Sequence, residues 1–259
     1  MPNHTLTYKT YQDVRNNLII WTTSLFFIAI ILITFLYLPI DLYTNIYNFV
    51  DSMTKDSIII TIIALITPTL GLCYVFAIFF FEILKIHDHF YDKLIIKWRE
   101  RYDLTYIIPN LIIPIIGNLP SGILNLALTN RKKFMDIFYD YVGDGKVGIT
   151  DNTRVRFYEK ITLYWITQIN EIFLLIFLIG TPIYKITFPI FTLQSSKFYW
   201  IILLSIILII TNRWLMRKVL KSVAIATEDQ IREIYLSEEN KGKIISSFIA
   251  LVKDIRGEK

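Results

Sequence analysis

The chain has 259 residues, 54% hydrophobic and only 19% charged, with a formal net charge of +5. A soluble domain averages about 25% charged and less than half apolar, so the composition excludes an ordinary soluble protein and predicts a membrane one. The single cysteine, Cys73, excludes a disulfide framework within one chain and a multi-cysteine metal site.

Residues 1–17, with Lys9 and Arg15, read as a cytoplasmic N-tail. Leu18–Pro39 then holds 22 residues without a charge, near the roughly 20 that a helix needs to cross a hydrocarbon core of about 30 Å. It exceeds the roughly 7–15 residues of a signal-peptide h-region, and no small-x-small site follows Pro39. It is therefore expected to remain as a first span over 18–40. A short acidic loop (Asp41, Asp51, Lys55, Asp56) leads to a second span over 57–81. Pro68 removes a backbone hydrogen bond there and, with Gly71, predicts a kink.

A third span is expected over 161–184. A fourth, short one over 198–212 is bracketed by Tyr199-Trp200 and Trp214. The fold class expected is mainly α: a polytopic α-helical membrane protein with four transmembrane helices in two hairpins, 18–84 and 161–212. A cytoplasmic helical insert (85–160) lies between them, and an amphipathic helical tail (213–259) follows.

Lysine and arginine set the orientation. The N-tail carries 2, the 41–57 loop 1, residues 82–160 carry 12, the 185–197 loop 2 and residues 213–259 carry 10. That places 24 of 27 on one side, so both termini and the insert are expected in the cytoplasm. Trp21, Trp165 and Trp214 fall at the inner ends, where indole rings favour the headgroup layer.

Within the insert, Phe90, Leu94, Ile95, Trp98 and Tyr102 recur at helical spacing along Lys85–Asp103. Leu104–Asn130 is uncharged over 27 residues and broken by Pro109, Pro114, Gly117, Pro120 and Gly122. A true span there would carry Arg131, Lys132 and Lys133 outside, against the charge rule. The segment is expected to be re-entrant or interfacial, with a proline-kinked core segment or a fifth span as alternatives. Phe134, Ile137, Phe138 and Tyr141 mark a further helix, and Lys146–Tyr158 alternates like a small hairpin. In the tail, Thr227 with Gln230 forms a capping-box signature. Gly242 is expected to set off a last amphipathic helix bearing Ile244, Ile245, Phe248, Ile249, Val252 and Ile255.

Glu171 is the sharpest polar feature. It lies six residues beyond Trp165, about 9 Å deeper at helical rise, beside Gln168 and Asn170. Ionisable groups inside a membrane are costly and point to a pathway or a subunit contact. A span starting at Ile172 would leave Glu171 among headgroups but would draw Lys185 inward.

Arg131, Lys132, Lys133, Arg213, Arg217, Lys218 and Lys221 flank apolar runs and fit contacts to anionic lipid headgroups; nucleic acid is not expected as a partner. Glu82, Lys85, His89 and Asp92 share one helix stripe and read as a solvated, salt-bridged face. Asp140, Asp144, Gly145 and Asp151 partly match a calcium loop, but Val142 occupies a ligand position and Asp151 shortens the last one. A turn is expected there instead, with no metal and no cofactor. No catalytic motif of hydrolases, metalloproteases or nucleotide-binding enzymes is present, so an enzyme is not expected.

The expected function is an oligomeric channel or membrane-perturbing effector, controlled by its cytoplasmic body, in a bacterial cytoplasmic (inner) membrane. Abundant Ile, Lys, Asn, Tyr and Phe suggest an AT-rich accessory gene, in antiphage defence or bacteriocin competition. The topology is similar to that of bestrophin-type anion channels, which also have four spans and both termini inside. The likeness stops at topology, because Lys85-Ile86-His87 and a lone Trp98 replace the Arg-Asn-Asn and paired tryptophans of that family. Two other readings are a membrane immunity protein against a pore-forming toxin and a scaffold holding a soluble partner through the 244–255 helix.

Overall fold

The computed structural model describes residues 8–37, 40–53, 58–83, 101–187 and 195–257. It is mainly helical, with no strand among the described residues. Three helices are long and apolar enough to cross a membrane, with candidate spans at Tyr11–Leu32, Asp151–Ile183 and Phe198–Leu236.

Helix α1 (Tyr11–Tyr37) starts where the Asp13 carboxylate accepts from the backbone N–H groups of Lys9 and Thr10. Helix α2 (Ile40–Met53) occupies the stretch read from sequence as an acidic loop. That expectation followed the charges; Tyr43, Ile46, Tyr47 and Val50 instead recur at helical spacing between them. Helix α3 (Ile58–Ile78) contains Pro68 and passes into a π-helical turn at Phe79–Ile83.

The proline-rich segment forms a π turn at Asp103–Ile107, α4 (Ile108–Ile112), a 3-10 turn at Ile113–Asn118 and α5 (Ile123–Thr129). Then come α6 (Arg131–Val142), α7 (Asp151–Thr187), α8 (Ser195–Leu236) and α9 (Glu238–Arg256).

The chain divides into two compact units. The apolar unit comprises Arg15–Lys85 and Tyr164–Lys218; the packed unit comprises Met1–Val14, Ile86–Leu163 and Val219–Lys259. Helices α1, α7 and α8 contribute residues to both.

The packed unit has a continuous hydrophobic core. Ile108, Leu111, Ile112, Ile115 and Ile123 are buried with Phe134, Phe138, Ile234, Ile244, Phe248 and Val252. The Phe134 and Phe248 rings stack with centroids 5.3 Å apart. Residues 104–130, expected in or on the membrane, therefore join this core along one face, while Ile113, Ile116 and Leu128 stay exposed. Two phenols pin the segment: Tyr235 Oη donates to the Leu111 carbonyl, and Tyr106 Oη donates to the Ala224 carbonyl at 3.1 Å. Burial against protein is one of the ways a proline-broken backbone is tolerated in apolar surroundings, and it takes place here within this unit.

The expected hairpin at Lys146–Tyr158 is replaced by a turn and the start of α7. Thr150 Oγ1 accepts from the Thr153 backbone N–H at 3.5 Å, a helix-start contact, and Arg154, Tyr158 and Ile161 are buried at helical spacing. The capping-box pair Thr227 and Gln230 lies inside α8, with Thr227 Oγ1 donating to the Val223 carbonyl at 3.0 Å. The break comes later. Ser237 caps α9 by accepting from the Asn240 N–H at 3.3 Å, and Gly242 sits within that helix. Most of the helix expected over Lys85–Asp103, with His89 and Asp92, lies outside the described residues.

The apolar unit is built the other way round. Its exposed side chains include Ile20, Ile31, Ile63, Leu72, Phe76, Ile176, Ile179, Leu204, Ile207 and Ile210, whereas Thr22, Thr167, Gln168, Thr181, Ser205 and Asn212 are buried. Small buried positions, Ala29, Cys73 and Ala77, let helices approach. Hydroxyls fold back on their own helices: Thr23 donates to the Ile19 carbonyl at 2.8 Å and Thr181 to the Phe177 carbonyl at 2.6 Å. Phe26 of α1 ties three elements together, 6.2 Å from Phe76, 5.2 Å from Phe80 and 5.0 Å from Phe173.

Candidate functional site

An unpaired carboxylate among apolar helices would be expensive, so Glu171 needs a partner at its own level. Helix α8 supplies it. Arg213 Nε donates to Glu171 Oε1 at 2.8 Å, with side-chain exposures of 62% for the arginine and 13% for the glutamate. One residue earlier, Asn212 Nδ2 donates to the Thr167 carbonyl at 2.7 Å and is buried. On the α1 side, Trp21 Nε1 donates to Asn170 Oδ1 at 2.9 Å. Gln168 is buried between these contacts along α7, and Thr22 is buried beside Trp21 on α1.

The result is a polar layer across α1, α7 and α8 of the apolar unit. Of the residues expected to form an intramembrane polar site, Asn170 and Glu171 are bonded to neighbouring helices and Gln168 is enclosed. Arg213, expected at lipid headgroups, is the counter-ion of Glu171 and keeps most of its side chain exposed. Sequence reasoning treated Trp21 and Asn212 as span boundaries and missed their bonds. The available signal was pairing: a carboxylate at one end of the third apolar run requires a cation at the matching end of the fourth, and Arg213 is the first one there.

The Arg213 guanidinium donates to Glu171 through Nε, and its more than half-exposed side chain leaves it open to water or an anion. Beyond it, Arg217, Lys218 and Lys221 are exposed, and Lys218 Nζ lies 3.7 Å from the Trp214 ring centroid. Pro68 and Gly71 are exposed on α3, and a Cβ built on Gly71 would meet no described atom within 4 Å beyond its chain neighbours and its own helix backbone.

Two members of the other basic cluster are paired within the packed unit. Arg131 pairs with the buried Asp103 at 2.7 Å, Lys133 pairs with Asp254 at 3.2 Å, and Lys132 is exposed. The apolar face of α9, offered from sequence as a docking helix, is occupied in the same core through Ile244, Phe248 and Val252.

The carboxylates of the partial calcium loop go to separate partners. Asp140 binds Lys146 at 3.2 Å, Asp151 binds Arg154 at 2.5 Å, and Asp144 accepts from the Tyr11 N–H at 3.0 Å and from Tyr158 Oη at 2.8 Å. A shallow cavity of about 770 Å³ lies beside this loop, lined by Lys146, Ile149, Arg154, Glu233, Leu236 and Ser237 among others. Its buried cation is committed: Arg154 donates to the carbonyls of Val142 (3.3 Å) and Lys146 (2.6 Å). Glu233 accepts from the Thr150 N–H at 2.6 Å. These groups brace the loop rather than await a ligand, so the polar layer of the apolar unit is the stronger candidate. No known protein family, curated protein or solved structure matches the chain.

Proposed function

We propose that the chain is a multi-pass membrane protein that assembles as a homo-oligomer and opens or perturbs the bilayer along the Glu171–Arg213 layer. One observation carries this reading: an ion pair lies among apolar helices with its arginine more than half exposed. A guanidinium at that depth is stable only against water, headgroups or a second subunit. Four helices alone leave little room to enclose a polar path, so neighbouring copies supply the remaining wall.

In this reading α3, 21 residues long, is the fourth crossing. Both termini and the packed unit lie on the cytoplasmic side, following the charge imbalance. The membrane is a bacterial inner membrane, and the packed unit is the seat of control. The abundance of Ile, Lys, Asn, Tyr and Phe favours defence against phage as the setting.

The test is reconstitution of the full chain in vesicles, followed by conductance, dye release and oligomer mass. Wild type is expected to conduct or leak as an oligomer, and Glu171→Gln to change conductance or subunit number. A tight, non-conducting monomer would sink the proposal. Harmless expression that protects cells against one pore-forming toxin would replace it with the immunity reading.

A further inference from the structure

The four apolar runs differ in length, and the difference is paired. The uncharged stretches 16–40 and 57–81 each hold 25 residues, whereas 172–184 holds 13 and 198–212 holds 15. At helical rise the described parts of the first pair, 16–37 and 58–81, are about 33 and 36 Å, but the second pair only about 20 and 22 Å, against a hydrocarbon core of about 30 Å.

The polar layer sets where the short stretches begin. The 2.8 Å bond between Glu171 and Arg213 places the charged ends of both on one level. The 2.9 Å bond from Trp21 to Asn170 places that level on α1. Trp21 lies six residues past Arg15, about 9 Å along the helix. In a bilayer of ordinary thickness, the short α7 and α8 stretches with their other ends at the far face would draw the layer about 8–10 Å into hydrocarbon with an exposed arginine.

The aromatic rings point to another outcome. Trp200 (69% exposed) and Trp214 (57%) stand at the two ends of the short α8 stretch, and Leu203, Leu204, Ile207 and Ile210 between them are exposed. Fourteen residues separate the two indoles, about 21 Å at helical rise. Indoles settle at headgroup level on both faces.

We infer that the α7–α8 side of the apolar unit is a bilayer-thinning surface, fitted to a phospholipid film with a hydrocarbon layer of about 20 Å. The inference rests on the membrane-embedded reading above and deepens it. Lipid held short on one side and at full length beside α1 and α3 is bent at their junction, which supplies a physical route to perturbation. Water and phosphate groups then reach the Glu171–Arg213 layer without that pair having to cross hydrocarbon.

The probe is phosphatidylcholine with brominated acyl chains, which quenches tryptophan fluorescence on contact, competed by unbrominated phosphatidylcholines of increasing chain length. Quenching lost in a Trp200→Phe/Trp214→Phe variant is the signal of the α8 surface. That signal is expected to show binding at least about threefold tighter for chains of about fourteen carbons than for about twenty-two. Arg213→Leu, which extends the uncharged α8 stretch to Met216, is expected to move the optimum to longer chains.

A flat profile, an optimum at long chains, or no quenching of these two tryptophans would overturn the inference; the last would mean that protein covers α8. Conductance in the same vesicles separates the two claims. Short-chain preference without leakage overturns the proposed function alone, and leakage with long-chain preference overturns the thinning surface alone.

Discussion

The two units bury opposite things. In the packed unit the enclosed side chains are large and apolar, Ile108, Phe134, Ile234 and Phe248 among them, and among the described residues its lysines and arginines face outward or hold carboxylates. In the apolar unit many of the large aliphatic groups are outside, while threonines, a glutamine and an asparagine are inside. Water drives the first arrangement by expelling apolar surface. It cannot drive the second. There, small-residue packing and interhelical hydrogen bonds hold the helices, as expected when the surroundings are as apolar as the side chains. One chain therefore carries two solvents' worth of design, and equal substitutions in the two units should have unequal effects.

The sharpest way to break that comparison is a matched pair of truncations. Phe248→Ala removes a fully buried ring stacked on Phe134 and is expected to cost about 3–5 kcal/mol. Leu204→Ala, on an exposed α8 position, is expected to cost well under about 1 kcal/mol in detergent. Denaturant titration followed by circular dichroism measures both; similar losses would mean that the apolar unit is packed against something in solution.

Arg154→Met comes next, at about 2–4 kcal/mol, because it strands the Val142 and Lys146 carbonyls in a buried site. Its effect should be confined to the packed unit, readable as increased hydrogen exchange over residues 143–150.

Alkaline titration should also discriminate between the units. Burial lifts the Tyr102 phenol to about 12, with Glu228 and Asp103 adding to the rise and the Thr227 hydroxyl opposing it. A phenol harder to ionise in the fold than in the unfolded chain lends stability that is complete below pH 10, its ordinary value, and is lost as the pH climbs through about 12. The packed unit is therefore expected to loosen over that window, with phenolate absorbance and loss of structure rising together. Tyr102→Phe should delay the loss. The smallest helical effect expected in that unit is Ser237→Ala, about 1 kcal/mol through loss of the α9 cap.

Lengths and charges were legible from the residues alone; partners were not. The long uncharged run Leu18–Pro39 announces a helix, and α1 covers most of it. The turn pattern around Asp144-Gly145 is likewise local, and the structure has a turn there. Residues 104–130 were harder, because their apolar face is completed by side chains more than a hundred positions away, Ile234 and Phe248 above all. Periodicity cannot distinguish a segment buried in protein from one buried in lipid.

The misread helix starts have a similar cause. Thr227 and Gln230 carry the chemistry of a cap, yet in mid-helix the Thr227 hydroxyl is satisfied by Val223 behind it and Tyr102 across from it. Within the polar layer Glu171 was evident, since one acid in an apolar run is conspicuous, whereas the roles of Trp21 and Asn212 exist only once helices are side by side.

Gly148 has a consequence for how this chain can drift. A methyl group there would sit 2.6 Å from the Tyr141 carbonyl oxygen and 2.7 Å from the Tyr141 Cβ, so even alanine forces main chain to move. Six positions on, Arg154 holds the same bend through the Val142 and Lys146 carbonyls. In any lineage that keeps this architecture, those two sites should tolerate the fewest replacements, while the oily exterior exchanges leucine, isoleucine and phenylalanine freely; a glycine and an arginine at that spacing are therefore the marks by which distant kin can be known.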